Sequence, residues 1–380
     1  MNHRQKGAFW EAFFPTEMPE RETQTVSMRL VRKGGHPWLL VPAAGRLAAK
    51  VLELYPAQSL KARLARTGLR LILRAGLPLG TEAISMKVTP GTGFTRFLAG
   101  LADNRTSTTN HFPVFGILAG NPATPGQRFI VLVFNASGKP AAVVKAGLSE
   151  RARELIAKEE TFLAEVPPNT PGVPSPRARF ETAGLRALAL DFFAGVSPDV
   201  RDDGRLSGLL SSWVNVERQI LVSQTRVWQE LKAACGQNPL FAKLIGRLET
   251  RPIRPTIAHG DLAPWNVKVQ SGDQWMVLDW ERGEREGIPT WDWFHYVLQP
   301  AILVGHKPAG MLSGALDELL LSPSFEAYAK LTQTSGLERA LCLAYLLYNT
   351  EVTKPSEGLA EARELLLSLG QRWQNPGAGT

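Results

Sequence analysis

The sequence has little cysteine: Cys235 and Cys342 are its only two, and they stand far apart. Neither a disulfide framework nor a cysteine-based metal site is expected from them, and a reducing cytoplasm suits such a chain. No uninterrupted run reaches the roughly 20 apolar residues that span a bilayer. The N-terminus lacks the layout of a signal peptide, because acidic residues such as Glu11 and Glu17 interrupt it. We therefore expect a cytoplasmic protein.

Acidic residues are also scarce between Arg29 and Arg74, where the chain has ten Lys and Arg residues and a single acidic residue, Glu53. A solvated helix face explains such a block, and so does docking of residues 29–74 to an anionic membrane or an acidic protein. Aromatic residues are not interleaved with these charges as they are in single-strand binding platforms. No nucleic-acid partner is therefore expected.

The composition is that of a folded protein, with 44% hydrophobic and 21% charged residues among 380. That length accommodates two domains, or one domain of two lobes. Apolar runs broken by basic residues predict one or two amphipathic helices within residues 38–79, ending at Gly76 to Gly80. We assign residues 1–80 to a basic, partly helical N-terminal extension and 371–380 to a flexible tail.

Strands are predicted first and helices later. Apolar runs at 113–118, 129–134 and 141–145 predict strands, with a hairpin turn at 135–139 by composition. A helix at 149–166 and a strand at 185–193 follow. Helical periodicity then dominates at 206–235, 239–249, 310–335 and 338–370. This order predicts an α+β fold with a small strand-rich lobe, 81–188, and a larger helical lobe, 189–370.

Three polar residues are spaced for phosphoryl transfer, which needs a carboxylate for the acceptor's proton and oxygen ligands for Mg²⁺. Asp261 follows the strand-like run 256–258, and Asn266 lies five residues on, so that both side chains can face one site. Asp279 ends a second apolar run, 275–278. Together they indicate an active-site loop.

The pattern His259-Gly260-Asp261-(x)4-Asn266, followed by Leu-Asp-Trp-Glu at 278–281, resembles the aminoglycoside phosphotransferase and choline kinase branch of the protein-kinase-like fold. The loop HGDLAPWNV is similar to that of a bacterial subgroup, and the resemblance covers residues 113–300. It implies a bilobal kinase-like fold that uses ATP and Mg²⁺. Asp261 then resembles the catalytic base, and Asn266 and Asp279 resemble the metal ligands. His259 and Asp292 resemble residues that organise and brace the loop, while Glu281 has no assigned role.

The same resemblance assigns the nucleotide site. Lys145 resembles the lysine that reaches the α- and β-phosphates, and its expected ion-pair partner is Glu159. Glu160 is one position out of phase on a helix turning about 100° per residue. The loop from Gly120 to Gly126 lies where a phosphate-covering loop belongs, although a plain hairpin connection explains it almost as well. Asp191 and Phe192 occupy the position of the inter-lobe hinge, which contacts adenine.

The expected partner is a small-molecule acceptor with a hydroxyl group: a sugar, an amino alcohol or a lipid-linked saccharide. Gly260 stands where protein kinases have an arginine, and only 12 residues separate Asp279 from Asp292. Both features disfavour a protein kinase. The alternative is an inactive, kinase-like nucleotide-binding or scaffold protein docked through its basic N-terminal region. Oligomeric state is not indicated. Aromatic residues and a histidine line the acceptor pocket or belong to the core: Trp213, Trp228, Trp291, Trp293 and His295.

Overall fold

The structure is a computed structural model that describes residues 8–14, 23–91, 93–102, 112–122, 126–199, 202–270, 274–355 and 357–374. The chain forms two compact units. The first comprises Met1–Ala164 and Pro174–Ala194, and the second comprises Glu165–Val173 and Gly195–Thr380. Among the helices of the described ranges, none has the length and apolar character needed to cross a bilayer.

The first unit is built around an eight-stranded antiparallel sheet. Its strands are β1 (Gln24–Lys33), β2 (His36–Pro42), β3 (Thr81–Val88), β4 (Phe115–Ala119), β5 (Arg128–Phe134), β6 (Pro140–Gly147), β7 (Pro176–Glu181) and β8 (Arg186–Asp191). They are hydrogen-bonded in the order β3-β1-β2-β4-β5-β6-β8-β7. The helices of this unit are α1 (Ala8–Glu11), α2 (Gly45–Val51), α3 (Leu60–Arg74), α4 (Gly93–Ala102) and α5 (Glu150–Glu165), with a 3-10 turn at Leu52–Leu54.

The period-2 alternation of the strands sorts their side chains into two cores, one on each face of the sheet. Leu40, Ile117 and Val131 lie in the core that includes α4. Their neighbours along the strands, including Leu39, pack in the other core with residues of α2 and α3. Helices on both faces therefore bury the central strands, which is why these strands are apolar nearly throughout.

The segment 24–42 belongs to the sheet, although its sequence was assigned to a basic, partly helical N-terminal extension. Met28 and Leu30 of β1 are buried, and Arg29 between them is partly exposed. This alternation of basic and apolar residues is the pattern of a strand with one face on the core. The two predicted amphipathic helices exist as α2 and α3, and α3 ends just before Gly76, whose φ is +71°.

Helices dominate the second unit. They are α6 (Asp203–Ser212), α7 (Arg226–Cys235), α8 (Pro239–Leu248), α9 (Trp291–Leu303), α10 (Ala309–Leu320), α11 (Pro323–Thr332), α12 (Glu338–Tyr348) and α13 (Leu359–Gln374), with a π-helical turn at Asn349–Thr353. Short strands form three two-stranded ladders: β9 (Ile220–Leu221) with β10 (Pro252–Ile253), β11 (Thr256–Ala258) with β14 (Glu284–Gly287), and β12 (Val267–Val269) with β13 (Trp275–Val277).

Three long helical stretches predicted in this unit are each divided. Residues 206–235 contain α6, the strand β9 and α7. Residues 310–335 contain α10 and α11, and residues 338–370 contain α12 and most of α13. The second break lies at Ser322, whose hydroxyl accepts the N–H of Phe325 and caps α11 ahead of Pro323. Such a cap with proline at the first helical position starts a new helix. The α+β class, with a strand-rich unit followed by a helical one, is confirmed.

Candidate active site

A buried ion pair links strand β6 to helix α5 in the first unit. The Lys145 Nζ lies 2.6 Å from Oε1 and 2.7 Å from Oε2 of Glu159. Lys145 is 7% exposed and Glu159 is fully buried. Removing both charges from water is costly, so a pair in this position needs close geometry of this kind. The predicted pairing of Lys145 with Glu159 is confirmed.

The neighbouring Glu160 points to other partners, as the helical phase requires. Its carboxylate lies 3.2 Å from Arg179 and 3.4 Å from Arg186, on strands β7 and β8. Adjacent helix positions differ by about 100° in direction. Glu160 therefore braces α5 against the strands, and only Glu159 meets Lys145.

The connection between β4 and β5 begins as a hairpin. The Gly120 N–H donates to the Arg128 carbonyl at 2.8 Å, and the Gln127 side-chain amide donates to the Gly120 carbonyl at 3.0 Å. A Cβ on Gly120 would stand 2.6 Å from the Arg128 carbonyl oxygen, and one on Gly126 would stand 2.7 Å from Leu155. Position 120 thus requires glycine, because the backbone of Arg128 cannot move away, whereas the Leu155 side chain opposite Gly126 can. The Gly120 amide closes the hairpin, and residues 123–125 lie outside the described ranges.

Asp191 ends β8, the last strand of the first unit, and Phe192 directly follows it. The Asp191 side chain is 68% exposed, and its carboxylate lies 3.7 Å from the guanidinium of Arg177. A solvent-exposed ion pair of this kind contributes little to stability. Phe192 packs against the core that contains α2 and α3. Their predicted contact with adenine stays a prediction.

In the second unit, Asp292 in the first turn of α9 binds the loop that follows β11. Its carboxylate accepts the backbone N–H of His259 at 2.6 Å and that of Gly260 at 2.9 Å. Gly260 has a φ of +75°, and a Cβ there would lie 3.0 Å from Arg282. The loop therefore needs both the buried carboxylate and a glycine. Asp292 lies in the bracing position that the sequence predicted.

His259 holds the loop together through both ring nitrogens. Its Nε2 lies 2.9 Å from the Leu278 carbonyl oxygen, which can only accept a hydrogen bond. Its Nδ1 therefore accepts the N–H of Asp261, at 3.2 Å. The ring also stands edge-on to Trp280, with 4.7 Å between the ring centroids. These contacts fix the neutral Nε2–H tautomer and give His259 a structural role.

The carboxylate of Asp261 forms the end of a chain of hydrogen bonds. Its Oδ1 lies 3.0 Å from the His295 Nε2, and the His295 Nδ1 lies 2.9 Å from the Tyr345 hydroxyl. Burial alone would raise the pKa of Asp261. The hydrogen bond from His295, together with the charges of His295 and Arg282, outweighs that effect and holds this pKa below its ordinary value. With its side chain 35% exposed, Asp261 is an ionised carboxylate that solutes can reach.

Asn266 and Asp279 flank the same loop, and their chemistry fits a hard cation. The Asn266 Nδ2 donates to the Asp261 carbonyl at 2.9 Å, which fixes the amide with its oxygen turned to the opposite side. The Leu278 N–H donates to the Asn266 carbonyl at 2.7 Å and ties the second segment to the loop. Asp279 has a φ of +74°. The described residues contain no cluster of three or more His, Cys, Asp or Glu that holds a metal by itself. Two oxygen ligands suit Mg²⁺, which keeps waters and shares phosphate oxygens.

The tryptophans proposed for the acceptor pocket belong to the core. Trp228 and Trp293 are fully buried, Trp213 is 3% exposed and Trp291 is 8% exposed. Trp213 packs edge-on against Trp280 with 5.2 Å between centroids, and its Nε1 donates to the Pro171 carbonyl at 2.7 Å. The core interpretation of these residues is the correct one.

No protein-family model matches this chain, and no curated protein matches it. Several solved structures are similar to it. One is a thermostable mutant of aminoglycoside phosphotransferase APH(4)-Ia in a ternary complex with ADP and hygromycin B. It is 14% identical, with a TM-score of 0.46 over 76% of this chain and 100% of that chain. Another is a choline kinase from Cryptosporidium parvum, 11% identical, with a TM-score of 0.41 over 69% of this chain and 89% of that chain.

Two local arrangements agree with the sequence-based expectations. In the strand-rich unit, the strand lysine binds a buried glutamate of the following helix. In the helical unit, the His-Gly-Asp loop is bound by an aspartate at the start of α9. Each of the two units contains the arrangement that the sequence predicted for it.

Three features of this loop and its surroundings were not assigned from the sequence: the contact of His295 with Asp261, the position of Tyr345 and the charge of Arg282 beside the loop. A signal existed for His295, because it lies three residues after Asp292 and so on the same face of α9. Arg282 directly follows the Asp-Trp-Glu signature. Tyr345 lies on α12, and no spacing rule connects that helix to the loop.

Proposed function

We propose that this chain is a phosphotransferase that uses ATP and Mg²⁺ to move the γ-phosphate to a hydroxyl group of a small molecule. The observation that carries the proposal is the state of Asp261: an accessible carboxylate, kept ionised by His295, on a loop fixed by Asp292. A group of this kind is what the acceptor hydroxyl needs during phosphoryl transfer.

The reaction follows from these residues. The acceptor hydroxyl donates a hydrogen bond to Asp261, which directs the hydroxyl oxygen at the γ-phosphorus. A new O–P bond forms, the bond from phosphorus to the β,γ-bridging oxygen breaks, and ADP leaves. Because the pKa of Asp261 is low, the proton moves to it late, once the attacking oxygen has bonded to phosphorus and become acidic.

Other residues, in each of the two units, are proposed to bind the nucleotide. Lys145, whose ammonium group is positioned by its ion pair with Glu159, neutralises charge on the α- and β-phosphates. Asn266 and Asp279 would hold Mg²⁺, which when bound neutralises negative charge on the phosphate oxygens. Backbone groups near Asp191 and Phe192 would meet the adenine ring.

The proposed acceptor is neutral or anionic, such as a saccharide or a lipid-linked sugar. The chain carries a formal net charge of +8, which disfavours polycationic acceptors. Gly260 also lacks the side chain with which a protein kinase binds its activation-loop phosphate. We therefore propose a small-molecule kinase of the cytoplasm.

The test is Mg-dependent transfer of the γ-phosphate in a metabolite extract, compared between wild type and Asp261→Asn. We expect a phosphorylated small molecule, and a fall in kcat of about 10²- to 10⁴-fold in the variant, with ATP affinity retained. Asp317→Asn is the matched control, because Asp317 pairs with Arg372 at the surface.

Two results would contradict the proposal. Binding of Mg-ATP without turnover on any fraction of the extract would identify an inactive nucleotide-binding protein. Labelling of a peptide library, but of no sugar or amino alcohol, would identify a protein kinase.

A further inference from the structure

Helix α3 has two apolar faces, although a helix that covers a sheet needs only one. Leu73 on the inner face is fully buried, and Leu69 packs against the same core. Leu60, Leu64 and Leu71 share the opposite face, because their spacings of four and seven residues return to one side of a helix. They are 73%, 66% and 63% exposed. The outer face is thus an apolar stripe of leucines in contact with solvent.

The stripe continues into the turn that follows the helix. Leu77 is 45% exposed and Leu79 is 62% exposed. Among the described residues, five of the twelve large hydrophobic side chains that are exposed lie between 60 and 79. Isolated exposed leucines are ordinary, but a group of this kind marks a surface that another body covers.

Basic residues flank the stripe, and α3 has no acidic residue. Its charged side chains are Lys61, Arg63, Arg66, Arg70 and Arg74. Arg63 and Arg66 donate to the carbonyls of Ala57 and Tyr55, which hold the guanidinium groups without neutralising them. Glu53, 3.8 Å from Arg70, offsets one charge. The surface therefore combines exposed leucines with an excess of positive charge.

We infer that α3 and the turn to Leu79 form a docking surface for an anionic lipid bilayer. A helix of about 22 Å lying in the interface inserts its leucines among the upper acyl chains and places flanking arginines at the lipid headgroups. Arginine suits this arrangement because its long apolar stem reaches from the helix to the headgroup level. An anionic bilayer thus offers acyl chains to the leucines and negatively charged headgroups to the basic residues.

A second copy of the chain fits this surface less well. In a two-fold dimer the same patch faces itself, so the leucines would meet only if both basic faces also met. Like charges in close contact repel, and no acidic residue of α3 relieves that repulsion. Charge complementarity therefore selects an anionic partner surface.

Vesicle binding by the full chain tests this inference. Cosedimentation is measured with phosphatidylcholine vesicles and with vesicles of phosphatidylcholine and phosphatidylglycerol. Three proteins are compared: wild type, the triple variant Leu60→Gln/Leu64→Gln/Leu71→Gln, and the matched control Leu321→Gln/Leu367→Gln. The control removes leucines that are 84% and 68% exposed in the second unit. Glutamine keeps the helix propensity of the substituted positions, so folding is preserved.

We expect wild type and control to bind the anionic vesicles, with at least tenfold weaker binding by the triple variant. Arg70→Gln/Arg74→Gln is also expected to weaken binding, and salt to weaken that of the wild type. The unfolding midpoint and Mg-ATP binding of each variant confirm an intact fold.

Three outcomes would overturn the inference. One is an absence of binding to anionic vesicles at low salt. Another is equal binding by the triple variant and wild type, which would mean that net charge alone acts. The third is a concentration-dependent dimer that the triple variant abolishes, without vesicle binding, which would assign the surface to a second copy.

Discussion

At the scale of single residues, His295 determines how Asp261 titrates. His295→Ala removes the hydrogen bond that does most to lower the pKa of Asp261, so burial is left to raise it. In the proposed reaction, activity requires the ionised carboxylate and is lost as pH falls through this pKa. We expect the acid limb of the kcat/KM profile to move to higher pH, with kcat at neutral pH reduced roughly tenfold or more.

Three comparisons separate this positioning role from a packing role. His295→Gln retains a side-chain N–H and should return the acid limb part of the way. Tyr345→Phe keeps the ring but removes the hydroxyl next to the His295 Nδ1, and its effect should be smaller. His306→Ala at an exposed position should change nothing. An unchanged acid limb in His295→Ala would show that the hydrogen bond does not control the carboxylate.

Individual residues were predictable where one local rule governs them. Helical phase separates Glu159 from Glu160, and the motif spacing places Asp292 as the residue that braces the loop. The demand for glycine at 260 was not visible, because it depends on a positive φ and on Arg282 across the loop. The bond from Tyr345 to His295 joins residues 50 positions apart on two helices. Packing of the whole unit determines such a contact.

At the scale of elements, Asp292 connects helix α9 to the loop after β11. Asp292→Asn replaces one acceptor oxygen with an amide that faces a backbone N–H, so one of the two bonds to His259 and Gly260 is lost. Loss of a buried bond to a charged group costs about 1.5–3 kcal/mol. We expect the free energy of unfolding in urea to fall by about that amount, together with kcat.

Asp317→Asn provides the comparison for this prediction. Asp317 is a surface partner of Arg372, with a side chain 38% exposed, and such pairs contribute about 1 kcal/mol or less. If both variants unfold at the same urea concentration, Asp292 does not brace the loop.

Strands and helices were predicted well where an apolar run or a helical period is uninterrupted in the sequence. The strands β4, β5 and β6, the turn between β5 and β6, and helix α5 lie where apolar runs and helical periodicity placed them. Strand β1 was missed, although its basic and apolar residues alternate, because the block of positive charge from Arg29 to Arg74 was interpreted as a helix face. Helix breaks such as Ser322 were missed because hydrophobic periodicity continues through a short cap.

At the scale of the whole molecule, a ligand that binds only the folded protein stabilises it. Mg-ATP at a hundredfold excess over its Kd should contribute about 2.7 kcal/mol to stability, which thermal unfolding detects as a higher midpoint. Lys145→Met alone would leave Glu159 buried without its partner, at a cost of about 3–5 kcal/mol. A loss of the Mg-ATP effect in that variant would then be confounded by a damaged fold.

The double variant Lys145→Met/Glu159→Leu avoids this difficulty. Replacing a buried ion pair by apolar residues of similar volume is often neutral for stability. We expect the double variant to unfold near the wild-type midpoint without Mg-ATP, and to gain no stability when Mg-ATP is added. A wild-type response would exclude Lys145 from nucleotide binding and restrict the buried pair to a structural role. A lost response in a protein of unchanged stability would instead identify the pair as a functional one, because its removal costs the fold nothing.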